Sequence, residues 1–265
     1  MKRVKIVFID LDSTLTKMPG KIDIKNKIII NRLTNMGIHV VINTGRSLPY
    51  TIPICKQFCT SNYVITSNGA EIYNYISKKE VYRSIISHEN IEILDNLINK
   101  YNLFFTANGI EKRYTNKKED NKGLFISESL KDIDDRIAQV VLESYNLDNM
   151  KQLRKEIEEQ TNLKIANKTK HIEENKLLYY DITNNDVDKG TAVEILCKKL
   201  NIDLDRTMAI GDSDNDIPML KKAEYKVAVS NASDNLKKEA NLITLSNKQN
   251  GVATILNELY IQLNK

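Results

Sequence analysis

The sequence has no apolar run that approaches the ~18 residues of a membrane-spanning helix, and its first residues lack the apolar core of a secretory signal. Cysteine is scarce as well: only Cys55, Cys59 and Cys197 are present, an odd number that does not suit a disulfide framework. No histidine or second cysteine pair lies near Cys55 and Cys59 to complete a zinc site. We therefore expect a cytoplasmic protein in a reducing compartment, with no membrane partner.

A strong excess of one charge is also absent. The 39 basic and 35 acidic residues are spread along the whole chain and leave a formal net charge of +4. That balance is too small and too dispersed to favour nucleic acid as a partner. Internal repeats and low-complexity linkers are missing too, and 265 residues suffice for one large domain or two modest ones. The composition is that of an ordinary soluble protein.

What is present begins with an apolar run and two acids. Residues 4–9 are too few for a typical helix and rich in β-branched side chains, so they predict a buried strand. Asp10 and Asp12 follow at the carboxyl end of that strand, which is where open α/β sheets place their ligand crevices. Two acids so close repel each other, and a divalent cation is the usual remedy. Taken alone, the stretch is equally compatible with a loop that merely carries acids.

Short apolar strands alternate with helices before residue 80 and again after residue 184. Right-handed crossovers between strands at this spacing give a parallel sheet. We therefore predict an α/β fold in which a Rossmann-like parallel sheet carries helices on both faces. The predicted helices cover 23–36, about 49–58, about 189–200, the residues after Pro218, 233–240 and the residues from Gly251; the predicted strands cover 4–9, 39–43, 63–66, 207–210, 225–229 and 242–245.

The rhythm changes between these two stretches. Helices are predicted over 88–101 and 148–160, and strands over 103–107, 137–143, 163–169 and 177–183. We interpret residues 81–183 as a separate α+β unit that interrupts a core made of residues 1–80 and 184–265. The linkers are expected near residues 78–84 and 183–188.

Four short motifs fall where core strands end or a core helix begins: Asp10-x-Asp12, Thr44-Gly45-Arg46, Lys189, and Gly211-Asp212 with Asp214, Asn215 and Asp216. Each motif is weak alone. In this order they resemble the haloacid dehalogenase (HAD) superfamily of phosphotransferases, and more narrowly its Cof-type (IIB) sugar-phosphate and cofactor-phosphate phosphatases. The resemblance implies an α/β cap inserted after the second motif, which sets specificity and closes by hinge motion. It also implies a small phosphorylated metabolite as substrate, and we expect a monomer or homodimer.

The resemblance assigns the chemistry as follows. Asp10 is the nucleophile that forms an aspartyl-phosphate, and Asp12 is the general acid and base. Mg²⁺ is held by Asp10, by the main-chain oxygen of Asp12 and by Asp212. Phosphoryl transfer needs little beyond an in-line nucleophile and positive charge around the equatorial oxygens, and these groups would supply both.

The resemblance also implies a phosphate-binding set formed by Thr44, Gly45, Lys189 and Asn215. Thr44 follows a strand, so its hydroxyl and nearby main-chain N–H groups are able to grip a phosphate oxygen at a helix start. Each of these residues also has an ordinary structural alternative. Thr44 is alternatively a helix-capping threonine, Lys189 a solvated lysine and Asn215 a turn residue. Asp216 is expected to lie behind the metal ligands, where it orients the metal's water and Lys189.

Two further residues carry open alternatives. Arg46 is either a phosphate or substrate contact or one half of a structural salt bridge. Asn68, in the segment Ser67-Asn68-Gly69, is either a substrate contact or part of a tight turn. Within the inserted unit, Tyr114 and Lys112 are candidates to meet a sugar or cofactor ring, and they are equally compatible with a surface position.

One residue departs from the family pattern. Ser13 stands where most of the family has glycine, and the triplet Asp-Ser-Thr is known from the phosphoserine phosphatase branch. In that branch the cap enters between the first two motifs, but only 27 residues separate Thr16 from Thr44, enough for one helix and one strand. The two acids Asp12 and Asp212 also disfavour the dehalogenase branch. A phosphohexomutase on the same site and a non-catalytic sugar-phosphate sensor remain as alternative functions.

Overall fold

A computed structural model describes residues 1, 3–18, 20–58, 61–118, 124–172 and 175–264. The chain divides into two compact units, the first formed by Met1–Tyr82 with Asp188–Lys265 and the second by Arg83–Val187. The boundaries thus fall a few residues beyond the predicted 80/81 and 183/184. Within the described ranges, every helix is too short or too polar to cross a membrane. Cys59, considered above for a zinc site, lies outside the described residues.

The elements of the chain follow in order. Before the second unit come β1 (Ile6–Ile9), β2 (Thr16–Met18), β3 (Lys21–Ile22), α1 (Ile24–Asn35), β4 (His39–Asn43), α2 (Leu48–Cys55), β5 (Tyr63–Thr66), β6 (Glu71–Asn74) and β7 (Lys79–Arg83). The second unit contains α3 (His88–Tyr101), β8 (Phe104–Gly109), β9 (Arg113–Thr115), β10 (Phe125–Ile126), β11 (Ile137–Ser144), α4 (Leu147–Gln160), β12 (Leu163–Ile172) and β13 (Asn175–Asn184). After it come α5 (Lys189–Leu200), β14 (Thr207–Gly211), α6 (Ile217–Lys222), β15 (Tyr225–Val229), α7 (Asp234–Glu239), β16 (Leu242–Thr244) and α8 (Gly251–Leu263).

The first unit is built on an eight-stranded sheet in the order β16-β15-β14-β1-β4-β5-β6-β7. Every pairing from β16 to β5 is parallel, and β6 runs antiparallel to β5. The predicted α/β fold with a parallel sheet is therefore confirmed. Sequence patterns did not reveal β6, β7 or the small β2–β3 hairpin, and β7 occupies residues expected to be a linker.

The central strands explain why their sequence is continuously apolar. All four residues of β1 are fully buried, because helices cover both faces of a parallel sheet. The apolar run stops where the strand reaches the sheet edge, and polar residues begin there. Since β14, β1 and β4 are neighbours, their carboxyl ends bring Asp212, Asp10 and Thr44 to one edge of the sheet.

The second unit has a six-stranded sheet in the order β10-β9-β8-β11-β13-β12. It is antiparallel except for the β9–β10 pair. One face packs on α3 and α4 through a separate hydrophobic cluster that includes Phe105, Leu142 and Leu153. The alternate residues of the same strands, such as Asn108 and Gln139, place hydrogen-bonding side chains on the opposite face.

Candidate active site

Lys189 lies at the centre of the candidate site. It is the first residue of α5, and the side chain of Asp188 caps that helix by accepting hydrogen bonds from the N–H groups of Gly190 and Thr191. The fully buried Nζ of Lys189 donates to Oδ1 of Asp10 and to Oδ1 of Asp216, each at 2.5 Å. A lysine that begins a helix would normally be solvated, so the structure excludes that alternative for Lys189.

Asp216 ties Lys189 to the loop after β14. Its Oδ2 accepts hydrogen bonds from the main-chain N–H groups of Asp212 (3.0 Å) and Ser213 (3.1 Å). A Cβ atom on Gly211 would lie 2.6 Å from the Cβ of Asp216, so only glycine permits this close approach. Both oxygens of Asp216 are thus engaged in fixing Lys189 and the loop that carries Asp212.

Asp212 is held by a residue that the sequence motifs did not single out. The hydroxyl of Thr14 donates to Oδ1 of Asp212 at 2.6 Å. Thr14 lies two residues after Asp12, but its partner is 198 positions away and no local pattern links the two. Likewise, the amide of buried Asn43 at the end of β4 donates to the main-chain oxygen of Lys189 at 3.0 Å.

The electrostatics of this cluster are unfavourable for three ionised acids. Burial raises the pKa of Asp10 well above its usual range in spite of Lys189, and the charges of Asp216 and Asp212 raise it further. Burial and the charge of Asp216 raise the pKa of Asp212 to about 6. Burial lowers the pKa of Lys189, but the charges of Asp10 and Asp216 outweigh burial and leave it above its usual value.

The same cluster fits a divalent cation. Asp10, Asp212 and Asp216 each offer a carboxylate oxygen, and these oxygens lie within 4.8 Å of one another. Three carboxylates beside the single ammonium of Lys189 leave an excess of two negative charges when all are ionised. Carboxylate oxygens are the ligands that hard divalent cations such as Mg²⁺ prefer. Because Asp216 already uses both oxygens, Asp10 and Asp212 are the better candidates for direct ligands.

Asp12 lies two residues beyond Asp10, and its carboxylate is paired with Arg46. Nε of Arg46 donates to Oδ2 of Asp12 at 2.5 Å, and Nη2 donates to Oδ1 at 2.6 Å. Arg46 therefore forms a salt bridge, which is one of its two alternatives. Burial lowers the pKa of Arg46, but its hydrogen bonds with Asp12 outweigh burial, so the pKa is raised and the guanidinium stays charged.

Main-chain hydrogen bonds join Thr44 and Arg46 to the loop after β5. Thr44 is buried, and its hydroxyl accepts a hydrogen bond from the N–H of Arg46 at 3.2 Å. The N-cap of α2 is Ser47, so Thr44 does not occupy the helix-capping position that was its alternative reading. The N–H of Asn68 donates to the main-chain oxygen of Thr44 at 3.1 Å.

Asn68 links this loop to the loop after β14. Its backbone is left-handed, with φ of 55°, and its side-chain oxygen accepts from the amide of Asn215 at 2.9 Å. The next residue, Gly69, has φ of +102°, and a Cβ there would lie 2.2 Å from the main-chain oxygen of Asp188. The segment is thus a tight turn, and the side chain of Asn68 within it contacts another candidate site residue, Asn215. The oxygen of the Asn215 amide accepts from the hydroxyl of Ser213 at 2.6 Å.

The geometry accounts for the position of Ser13. This residue has φ of 62°, in the left-handed region that glycine adopts readily and serine rarely does. Its main-chain oxygen accepts a hydrogen bond from the Asn231 amide at 2.9 Å. The glycine common in the resembling family is thus explained by backbone conformation, and Ser13 occupies the same conformation at a steric cost.

The two candidates in the second unit have partners there. The hydroxyl of Tyr114 donates to Oδ2 of Asp135 at 3.3 Å, and Nζ of Lys112 lies 4.5 Å from the ring centroid of Phe125. Both side chains therefore take part in contacts within residues 83–187.

The chain is similar to known proteins over nearly its whole length. The profile of the haloacid dehalogenase-like hydrolases matches residues 7–256. The chain is 33% identical over 255 residues to the 5-amino-6-(5-phospho-D-ribitylamino)uracil phosphatase YcsE of Bacillus subtilis (strain 168), covering 94% of this chain and 93% of that protein. YwtE of the same organism, named for the same activity, is 26% identical over 289 residues, covering 97% and 98% of the two chains. The structure of the HAD subclass IIB sugar phosphatase BT4131 shares the fold, with a TM-score of 0.80 over 97% of this chain and all of that chain at 18% identity.

Proposed function

We propose that this chain, which belongs to the haloacid dehalogenase-like hydrolase family, hydrolyses small phosphomonoesters with Mg²⁺ and through an aspartyl-phosphate on Asp10. The chain is a phosphatase of small phosphorylated substrates, like its relatives; the metal, the nucleophile and the substrate are the proposal. The observation that carries it is the buried Asp10–Lys189–Asp216 contact beside Asp212 at the carboxyl edge of the sheet.

In the first step a carboxylate oxygen of Asp10 attacks phosphorus, the bond from phosphorus to the leaving oxygen breaks, and an acyl phosphate forms. Lys189 fixes the orientation of the Asp10 carboxylate through Oδ1 and places an ammonium where the phosphate's negative charge arrives. Thr44, the main-chain N–H of Gly45 and Asn215 are proposed to bind the phosphate oxygens. Asp216 acts through its contacts, because it holds both Lys189 and the Asp212 loop.

Asp12 is proposed to handle protons in both steps. Its carboxyl gives a proton to the leaving oxygen as that bond breaks, and its carboxylate then takes a proton from the water that attacks the acyl phosphate. The water oxygen bonds to phosphorus as the bond from phosphorus to the Asp10 oxygen breaks. Inorganic phosphate leaves, and Asp10 and Asp12 return to their starting forms.

The proposed ligands of the metal are the carboxylates of Asp10 and Asp212 and the main-chain oxygen of Asp12. When bound there, Mg²⁺ neutralises the clustered carboxylates and the phosphate together. Thr14 and Asp216 keep Asp212 in place for this role.

For the substrate we propose 5-amino-6-(5-phospho-D-ribitylamino)uracil, because two relatives that match nearly the whole chain are named for it.

Release of inorganic phosphate from this compound and from p-nitrophenyl phosphate, with and without Mg²⁺, tests the proposal. Asp10→Asn is expected to abolish turnover of both. Asp214→Asn is the matched control, because this exposed acid lies in the loop after β14 and, within the described residues, its carboxylate accepts from Ser233 and Asn235 on the protein surface. An unchanged rate in Asp10→Asn contradicts the mechanism, and interconversion of hexose 1- and 6-phosphates without phosphate release favours the mutase instead.

A further inference from the structure

The ion pair of Arg46 and Asp12 has a third member. Tyr50 lies in the first turn of α2, and its ring centroid is 4.0 Å from the Cζ atom of Arg46, which precedes the N-cap Ser47. At this distance the tyrosine ring supports the guanidinium from one side. Arg46 is further anchored by its backbone, since its N–H donates to the Thr44 hydroxyl and its main-chain oxygen accepts from the N–H of Ser67.

This arrangement differs from an ordinary surface salt bridge. A single exposed ion pair stabilises a protein by about 0–1 kcal/mol, because two flexible side chains must be held in one geometry. Here Arg46 binds both oxygens of Asp12 through its planar fork, and both side chains are partly buried, with 30% and 39% of their surface exposed. Stacking on Tyr50 removes much of the remaining freedom of the guanidinium.

We propose that Arg46 and Tyr50 are positioning residues for the proton transfer by Asp12, and this inference rests on the proposed phosphatase mechanism. Arg46 sets the direction of the Asp12 carboxylate, and Tyr50 sets the plane of Arg46. Each carboxylate oxygen has two lone-pair sites, so the two hydrogen bonds from Arg46 leave one site on each oxygen for the transferred proton.

The proton transfer balances within the proposed reaction. As the Asp10–phosphorus bond forms, the bond from phosphorus to the leaving oxygen breaks, and the proton moves from Asp12 to that oxygen. Only a poor leaving group needs this proton, because an alkoxide is a strong base whereas p-nitrophenolate is stable in water. A misdirected Asp12 therefore slows cleavage of an alkyl phosphate far more than cleavage of p-nitrophenyl phosphate.

A direct contact between Arg46 and the substrate phosphate would behave differently. The phosphate group is the same in every substrate, so losing such a contact would lower kcat/KM for all substrates by a similar factor. The dependence on the leaving group thus separates the two roles of Arg46.

The test compares benzyl phosphate with p-nitrophenyl phosphate, two substrates of similar size with an alkoxide and a phenolate leaving group. The value of kcat/KM covers the steps up to departure of the leaving group, so hydrolysis of the acyl phosphate does not enter it. Arg46→Met is expected to lower kcat/KM about 10- to 100-fold for benzyl phosphate and less than about threefold for p-nitrophenyl phosphate. Tyr50→Leu is expected to show the same selectivity at about fivefold, while Tyr50→Phe, which keeps the ring, stays near wild type.

Three further variants complete the experiment. Asp12→Asn should show the same selectivity with a larger loss, and adding Arg46→Met to it should lower kcat/KM for benzyl phosphate no further. Arg32→Met is the matched control, because the Cζ atom of Arg32 lies 5.8 Å from the ring centroid of Tyr260, elsewhere in the first unit. In this variant kcat/KM should stay unchanged for both substrates.

Equal losses for the two substrates in Arg46→Met overturn the inference, and so does the absence of any loss. If the wild-type protein cleaves neither substrate, the proposed function itself fails, which is a different result from unselective variants of an active enzyme.

Discussion

Both units of the molecule bury carboxylates, and Asp95 in the second unit and Asp10 in the first have opposite surroundings. Asp95, in α3 of the second unit, is surrounded by donors: its Oδ1 accepts from the Ser129 hydroxyl and from the Leu130 N–H, each at 2.7 Å, and its Oδ2 accepts from the Asn99 amide at 3.3 Å. Asp10, in the first unit, has the Lys189 ammonium as a partner but lies beside two more acids.

The comparison separates a structural acid from a reactive one. A buried carboxylate supplied with hydrogen-bond donors stabilises the segment it joins, and Asp95 links α3 to the loop before β11. A buried carboxylate crowded by other carboxylates is held in an unfavourable state, which is typical of sites whose charge is used in chemistry. The difference lies in the neighbours and not in burial, since both residues are buried.

The largest effects should come from neutralising each acid. Asp10→Asn is expected to lower kcat by about 10⁴-fold or more while the metal-free melting temperature does not fall, because a carboxylate in an unfavourable environment is removed. Asp95→Asn is expected to keep the turnover of p-nitrophenyl phosphate but to lower the free energy of unfolding by about 1–3 kcal/mol, because an amide N–H₂ faces groups that also donate. Enzyme assays and urea unfolding of both variants check the contrast. A stable but inactive Asp95→Asn variant would contradict the distinction between Asp95 as a structural acid and Asp10 as a reactive one.

Removing the Lys189 ammonium tests how much its ion pairs stabilise the crowded acid cluster. Lys189→Met leaves Asp10 and Asp216 buried without their cation, and breaking a buried pair in this way costs about 3–5 kcal/mol. Urea unfolding of the metal-free variant should show this loss. The double variant Lys189→Met with Asp216→Asn should recover part of the stability and none of the activity, since the phosphate would still lack its ammonium. Full stability in the single variant would show that the ion pairs contribute nothing to the fold.

Mg²⁺ should stabilise the crowded acid cluster, by a free energy that is smaller than the loss in Lys189→Met and that depends on pH. Because the pKa of Asp212 is raised from 3.8 to about 6, the folded metal-free protein binds a proton there more tightly than the unfolded chain does. This residue's contribution to the free energy of unfolding therefore falls as the pH rises from about 4 to about 6 and stays low above that.

Above pH 6 the ionised Asp212 is free to bind the metal. At a Mg²⁺ concentration 100 times the dissociation constant, the expected stabilisation is about 2.7 kcal/mol, measured as a shift of the melting temperature at pH 7.5. The shift should shrink at pH 5 and vanish in Asp212→Asn, while Asp95→Asn keeps it. An equal shift in Asp212→Asn would place the metal elsewhere.

Much of the first unit could be predicted from the sequence because its signals are local. Apolar runs that end in polar motifs mark buried parallel strands, and the order of neighbouring strands then brings Asp10, Thr44 and Asp212 to one edge. The inserted unit was also recognisable from the change in rhythm, and α3 begins and ends at the predicted residues. The short strands β6, β7, β9 and β10 were missed because their pairing partners, and not their own patterns, determine them.

Contacts between distant residues set the limit of prediction at the site. The grip of Arg46 on Asp12 and the hydrogen bond from Thr14 to Asp212 join residues 34 and 198 positions apart. No spacing rule connects such pairs, so the sequence left Arg46 with two alternatives and gave Thr14 no role. The roles assigned to the site residues remain predictions that the variants above test.

The smallest expected effect concerns backbone strain, which also distinguishes the two units. In the described part of the second unit, Asn102 has a positive φ and ends α3 as its C-cap, an ordinary place for this conformation. In the first unit, Ser13, Ser67 and Asn68 have positive φ in the loops after β1 and β5, which carry candidate site residues. Ser13→Gly should raise the free energy of unfolding by about 0.5–1 kcal/mol, because glycine adopts φ of 62° without the clash of a Cβ atom. Ser13→Ala keeps the Cβ and should bring no gain in urea unfolding, whereas equal stability of the two variants would show that the loop stores no strain at this residue.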